Sequence, residues 1–459
     1  MQYDMTKGRI APLLIKFTIP VLIGNVFQQF YNMVDTVIVG RFVGENALAA
    51  VGSTGTIMFL ILGFAMGLTN GFTVLTAQAF GAGDRERMRH SVANGILLSV
   101  IVTILMTFFS VLSLRPLLHL MNTPDEIFDD AYTYISIICY GCVAPIYYNL
   151  FTSYLRAIGN SKVPLYFLIL SSCLNIFLDL FFIIQLKMGV AGAALATDLA
   201  QGISAALTLL YIYKKSPMLR PQNTDWHLDR SESAIQVKIG LPMALQFAIT
   251  ASGTMIMQSS INLFGATVIS AYTAASKVQM LFTQEQSAMG VSITTYSGQN
   301  YGAGNIERIN KGVRVAMLIG VIYSIIAAIA EIAFLPGMSR LFFSSDVDMT
   351  EMLKWEYPYI YISAIFFIPL AGIFVFRDTM QGCGYSVPPT LCGVVELCAR
   401  FAMAQIAIAQ HSYPIAVSAD AAAWIAASLF GFFAYRYTLR DMKKRMSAGT
   451  MPHSSAAEN

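Results

Sequence analysis

Long apolar runs separated by short polar knots recur from one end of this chain to the other. Twelve of them approach or exceed the ~20 residues that a helix rising 1.5 Å per residue needs to cross a bilayer: 13–38, 47–76, 91–114, 131–155, 163–186, 189–213, 235–261, 268–297, 313–335, 355–380, 388–410 and 414–438. No polar segment between them is long enough for a soluble domain. The pattern predicts an all-α polytopic membrane protein with twelve transmembrane helices, numbered below as spans one to twelve.

The knots carry a repeat. QAFGAGDRERMRH at 78–90 returns as QNYGAGNIERINK at 299–311, an offset of 221. Lys16 and Pro20 correspond to Lys238 and Pro242, Pro145 to Pro369, and RAIGNS at 156–161 to QGCGYS at 381–386, with the offset drifting only to 225. The chain therefore divides into a six-span lobe at 1–215, a cytoplasmic linker at 216–234, a second six-span lobe at 235–440 and a disordered tail at 441–459. Six spans return the chain to its starting side, so the lobes are parallel repeats expected to enclose a central cleft and to rock for alternating access. The prolines at 20, 145, 242 and 369 fall inside spans, where they free carbonyls and permit bends.

Composition agrees, with 56% hydrophobic and 12% charged residues. The net charge of +3 says less than its distribution. With the N-terminus in the cytoplasm, 21 basic residues fall on inside segments and five outside, while Lys277, Arg377 and Arg400 lie within or at the ends of spans. This asymmetry places both termini inside and reads the arginines of each knot as anchors for a tight glycine turn. No Lys-Ser/Thr follows the Gly-Ala-Gly, so a phosphate loop is not indicated. The first run is followed by a basic residue and further spans rather than a cleavage site, so span one is expected to be retained. All six cysteines lie within spans, and Cys139-x-x-Cys142 reads as small packing residues.

Ionisable groups inside the membrane need a partner or a purpose. Span one carries Asn25, Gln28, Asn32 and Asp35 at steps of three, four and three, which predicts one polar helical stripe ending in an acid. Span five carries Asn175 and Asp179 four apart, and span six Thr197 beside Asp198. Counted inward from the far ends of their spans, Asp35, Asp179 and Thr197 lie at a common depth of about 8 to 12 Å. Two carboxylates, an amide and a hydroxyl at one level suit a small hard cation such as Na+, or a proton held by two acids that disfavour each other's charge. The repeat supplies a control: Asp35 maps to Met257, Asn175 to Arg400, Asp179 to Ala404 and Thr197 to the stretch ADAAAWIAAS. Only the first lobe has the acids, which favours a specialised ion site over an architectural need. In the second lobe Glu396 and Arg400, four apart, are expected to form a structural pair. Gln28, Asn32, Asp198, Gln246, Lys277 and Glu285 are candidates to line the cleft, and Glu331 and Asp378 are further intramembrane acids without an assigned role.

These residues together resemble the multidrug and toxic-compound extrusion (MATE) family of cation-coupled antiporters. The likeness covers nearly the whole chain and rests on the two six-span halves, Pro20 with Asp35, both GAG turns, LRAIGNSKVP, MQGCGYSVPP and LNIFLD. It implies export of bulky organic, cationic or amphipathic compounds in exchange for inward H+ or Na+. In one prokaryotic branch the cation site lies in the first half, and its motif positions match Asp35, Asn175, Asp179 and Thr197. A second branch carries acids in spans seven and ten, whereas LPMALQFAITASG here has none and Asp378 sits near the end of span ten. The resemblance implies a bacterial or archaeal plasma-membrane protein, a small organic substrate, no cofactor, no nucleic-acid partner and a monomer in lipid. The rival of similar architecture is a lipid-linked oligosaccharide flippase, which needs a cationic cavity that three intramembrane basic residues scarcely provide. An enzyme is disfavoured by five scattered histidines without ligand spacing. Of the two ions, the proton is expected to suffice.

Overall fold

The computed structural model describes residues 3–121, 123–343 and 347–448. It is helical throughout, with short turns between helices. In chain order these are α1 (Ile10–Phe42), α2 (Glu45–Ala82), α3 (Arg85–Leu120), α4 (Asp125–Tyr140), α5 (Val143–Ala157), α6 (Lys162–Leu180), α7 (Gly189–Lys215) and α8 (Arg230–Ile261). The second half continues with α9 (Ala266–Phe282), α10 (Gln284–Gly302), α11 (Ile306–Ser339), α12 (Met349–Ile365), α13 (Phe367–Gly382), α14 (Val387–Gln410), α15 (Tyr413–Val417) and α16 (Ala419–Ser447). A π turn at Phe181–Gln185 ends α6, and two 3-10 turns occupy the linker. The helix α16 passes the expected boundary at 440, and the tail beyond Ala448 lies outside the described residues.

Among the described residues nine helices are long and apolar enough to cross a membrane, and two bent pairs raise the number to eleven. Those pairs occupy the expected spans four and ten, where Pro145 and Pro369 permit a bend. The helices α4 and α5 meet at 47°, α12 and α13 at 48°. The cause is legible in the covalent chemistry: Pro145 and Pro369 have no N–H for the carbonyls of Gly141 and Ile365 four residues earlier, and their rings clash there. Pro20 and Pro242 instead lie inside unbroken helices. The remaining expected span, 268–297, consists of α9 and α10, which separate at Thr283. It is the most polar of the twelve, with Lys277, Gln279, Gln284, Glu285 and Gln286 close to the break.

The chain packs as two compact units, and their membership differs from a simple division at the linker. Unit 1 comprises Ile23–Ala248 with the N-terminal residues up to Asp4; unit 2 comprises Met5–Leu22 and the chain from Ile249 onward. In unit 2, Leu14, Phe17 and Val21 of α1 are buried with Ile293 and Tyr296 of α10, Ile309 and Val313 of α11, and Tyr435 of α16. In unit 1, Ile239 and Ala244 of α8 are buried with Leu68, Phe72 and Val74 of α2.

The polar knots explain how the two entering segments are held. The second glycine of each turn, Gly83 or Gly304, has a left-handed φ of 73° or 68° that costs a glycine little. The next residue caps the following helix: Asp84 accepts from the Arg87 N–H at 2.9 Å and Asn305 from the Arg308 N–H at 3.2 Å. The arginines do more than anchor the turn at the membrane surface. In unit 1, Arg87 pairs with Glu232 at 2.9 Å and Arg89 with Asp225 at 3.4 Å, which fastens the linker. In unit 2, Arg308, 221 residues after Arg87, donates to the carbonyls of Met5, Lys7 and Gly8 at 3.2, 2.9 and 2.9 Å. Asp229 starts α8 by accepting from the Glu232 N–H at 2.7 Å, and that bond holds its carboxyl below the usual carboxylate range.

Candidate functional site

Unit 1 brings together the four residues singled out for a cation. Asp35 of α1, Asn175 and Asp179 of α6 and Thr197 of α7 are 9%, 1%, 0% and 7% exposed. The i, i+4 spacing of Asn175 and Asp179 puts both on the face of α6 that packs on α7, where Thr197 meets them. With its amide oriented to satisfy every group, Asn175 donates to Asp179 Oδ2 at 2.9 Å and accepts from the Thr197 N–H at 3.1 Å. The Thr197 hydroxyl donates to the Ala193 carbonyl at 3.1 Å. The carboxyls of Asp35 and Asp179 lie within hydrogen-bonding reach of each other, yet Oδ1 of each is buried without a partner.

The sequence reading missed two tyrosines at this site. The Tyr31 hydroxyl is within hydrogen-bonding reach of Thr197, and both Tyr31 and the buried Tyr134 of α4 lie close enough to Asp35 and Asp179 to feel their charge. Tyr31 precedes Asp35 by four residues, so the helical period alone pointed to it. Gln28 and Asn32 are exposed, Asn25 is half-buried, and the buried face near the acid is Asp35, Ile38 and Val39. A three-residue step leaves Asn32 about 60° round the helix from Asp35. Asp198 is half-buried beside the break between α4 and α5, where its Oδ2 occupies the space a side chain on Gly141 would need. Gln246 is half-buried in unit 1. Lys277 is exposed and Glu285 buried, both in unit 2.

Two further groups of intramembrane charges are paired. Arg400 meets Glu396 at 2.9 Å as expected, and also Asp420 at 2.7 Å, so the pair is a group of three. Asp420 stands in the alanine-rich stretch 222 residues after Asp198. Arg377 and Asp378 pair at 2.9 Å. The basic cavity that a pyrophosphate headgroup needs is therefore not formed by Arg377 or Arg400. Among the described residues no three His, Cys, Asp or Glu side chains are grouped to hold a metal ion. Cys139 and Cys142 are buried free thiols, consistent with packing residues.

The MatE family model matches residues 20–181 and again 242–406, one copy in each half. The chain belongs to the MATE family. It is similar to the probable multidrug resistance protein YpnP of Bacillus subtilis, 32% identical over 309 residues, covering 67% of this chain and 68% of that protein. It is also similar to the probable multidrug resistance protein NorM of Thermotoga maritima, 25% identical over 409 residues, 86% of this chain and 87% of the relative. A solved structure described as the outward-facing conformation of a multidrug resistance MATE family transporter superimposes with a TM-score of 0.88, covering 96% of this chain and 98% of that one at 22% identity. This MATE chain is thus an integral membrane transporter of the twelve-span fold, and the two relatives named above are described as probable multidrug resistance proteins.

Proposed function

We propose that this MATE protein is a secondary antiporter that exports organic, cationic or amphipathic compounds in exchange for inward protons by alternating access. In this reading it acts as a monomer in a bacterial or archaeal plasma membrane, with both termini in the cytoplasm, as the basic residues favour. One observation carries the proposal: Asp35 and Asp179 face each other in a buried site with an unpartnered oxygen on each. A hydrogen bond between two carboxyls needs a proton, so the pair holds one and keeps one negative charge. A second proton removes that charge and weakens Asp179 as the acceptor of the Asn175 amide. A cationic substrate about 10 Å away then loses roughly 1 to 2 kcal/mol of attraction at an effective dielectric of 20, or about tenfold in affinity. Linkage makes the effect reciprocal, so substrate expels the proton as the proton expels substrate. This is exchange.

Sodium fits less well. The two free Oδ1 atoms and the Thr197 oxygen could ligate it, but the Asn175 oxygen is engaged by the Thr197 N–H while its amine faces Asp179. The test is dye efflux from proteoliposomes under separately imposed proton and sodium gradients. A proton gradient alone should drive efflux, and Asp35→Asn or Asp179→Asn should abolish it while leaving the protein folded and inserted. Efflux that vanishes without sodium and returns in proportion to it refutes proton coupling; normal efflux by both variants refutes the site.

A further inference from the structure

Unit 2 contains three buried acids that the exchange site does not use. Glu356 of α12 and Glu331 of α11 are 0% exposed, and Glu285 of α10 is 5% exposed. Glu356 accepts from the Ser339 hydroxyl at 2.6 Å through Oε1. Its Oε2, both oxygens of Glu331 and Oε2 of Glu285 are buried with no hydrogen-bond partner. An unpaired carboxylate in such a place is costly as an anion, so it is a place to bind a proton or a cation.

The acids are arranged in a row along α11. Glu356 sits at the level of Ser339, where α11 ends. Glu331 lies eight residues back along the helix, about 12 Å deeper. Tyr323, another eight residues back, donates to the Phe282 carbonyl at 2.9 Å, three residues before Glu285 at the α9–α10 break. Hydroxyl and amide groups fill the intervals. Tyr323 lies close enough to both Glu331 and Glu285 to feel their charge, and Tyr359 close enough to Glu331. Tyr359 donates at 2.6 Å to Gln279, whose amide nitrogen is itself unpartnered, as is the buried Ser324 hydroxyl.

We infer that Glu356, Glu331 and Glu285 form a proton-carrying row in unit 2, running from the Ser339 end of α11 to the α9–α10 break, with Tyr359, Gln279 and Tyr323 between them. The charged groups around it leave it unneutralised. From α9 comes Lys277, which is exposed. From α13 come Arg377 and Asp378, paired with each other, and from α16 Asp420, paired with Arg400. Next to the Glu356 end in sequence, Arg340 is exposed and Lys354 pairs with Glu351 at 3.9 Å, and among the described residues the tyrosines Tyr272, Tyr359 and Tyr413 are further titratable groups beside the row. The repeat has no acid at the matching positions of the first half, where Phe64, Ser110 and Tyr134 stand nearest.

Proton binding by the row is tested on the purified full-length protein, independently of antiport. Infrared difference spectra after a pH jump in sodium-free buffer should contain a protonated-carboxyl band that Glu331→Gln removes, that Asp35→Asn retains and that added sodium leaves in place. In proteoliposomes Glu331→Gln and Glu285→Gln should each slow proton-driven efflux by about tenfold or more, the size expected when a positioned proton carrier is lost. That second arm rests on the proton-antiport reading. A wild-type protein indifferent to a proton gradient therefore overturns antiport and leaves the infrared test to decide the row. An unchanged band in Glu331→Gln, or a band displaced by sodium, overturns the row. Should Glu331→Gln fail to fold, Glu285→Gln and Glu356→Gln carry the same infrared comparison, with loss of the band supporting the row and its persistence overturning it.

Discussion

Arg400→Ala isolates what the group of three in unit 2 contributes. Arg400 is 6% exposed, its guanidinium bonded at 2.7 Å to Asp420 and 2.9 Å to Glu396, and its Nη1 fills the space beside the bare Cα of Gly253. Removing it strands two carboxylates whose side chains are only 14% and 15% exposed. Breaking one buried pair by deleting a partner costs about 3 to 5 kcal/mol. With two acids stranded, the loss is expected at about 5 kcal/mol. For a unit of this size that is on the order of 10 °C in the unfolding midpoint. Arg400→Ala combined with Asp420→Asn should recover roughly half of it. Arg400→Ala with Glu396→Gln should recover a similar share, whereas Glu396→Gln alone, which leaves Arg400 paired with Asp420, should cost little. The assay is thermal unfolding of detergent-purified protein followed by loss of the monodisperse peak. An Arg400→Ala protein within about 2 °C of the parent, or neutralised double variants no better than the single, would refute the reasoning.

Two further outcomes follow from close contacts elsewhere in the chain. Gly141→Ala places a methyl group against Asp198 Oδ2 and should cost about 1 to 3 kcal/mol in thermal stability, most of it restored by Asp198→Ala in the same chain; failure of that rescue would remove Asp198 as the cause. Arg308→Ala removes the donor to the Met5, Lys7 and Gly8 carbonyls and should make trypsin cleavage after Lys7 or Arg9 about tenfold faster, with unchanged cleavage counting against the clamp.

Much of the cluster around Asp35 and Asp179 was legible in the order of residues alone. Counting from the ends of apolar runs placed Asp35, Asp179 and Thr197 at one depth because a helix rise is constant, and the four-residue spacing of Asn175 and Asp179 fixed their common face. Tyr31 went unread because a tyrosine in an apolar run looks like packing, although its spacing from Asp35 is helical. Asp420 was hidden in an alanine-rich stretch, and no local pattern announces that it reaches Arg400 across 20 residues. Pro20, Pro145, Pro242 and Pro369 look alike in sequence, yet Pro145 and Pro369 follow a break in the helix while Pro20 and Pro242 lie in unbroken ones. The break at Thr283 has no proline at all.

The exchange of entering segments has a consequence for the protein's ancestry. Residues 5–22 complete the core of unit 2, and the stretch up to Ala248 completes unit 1, so each product of the duplication supplies an arm that the other's core lacks. A single ancestral six-span chain would have had to trade that arm with a second copy, forming a swapped homodimer. A gene severed at the linker would encode two fragments, each lacking part of its own hydrophobic interior and each carrying the missing piece of the other.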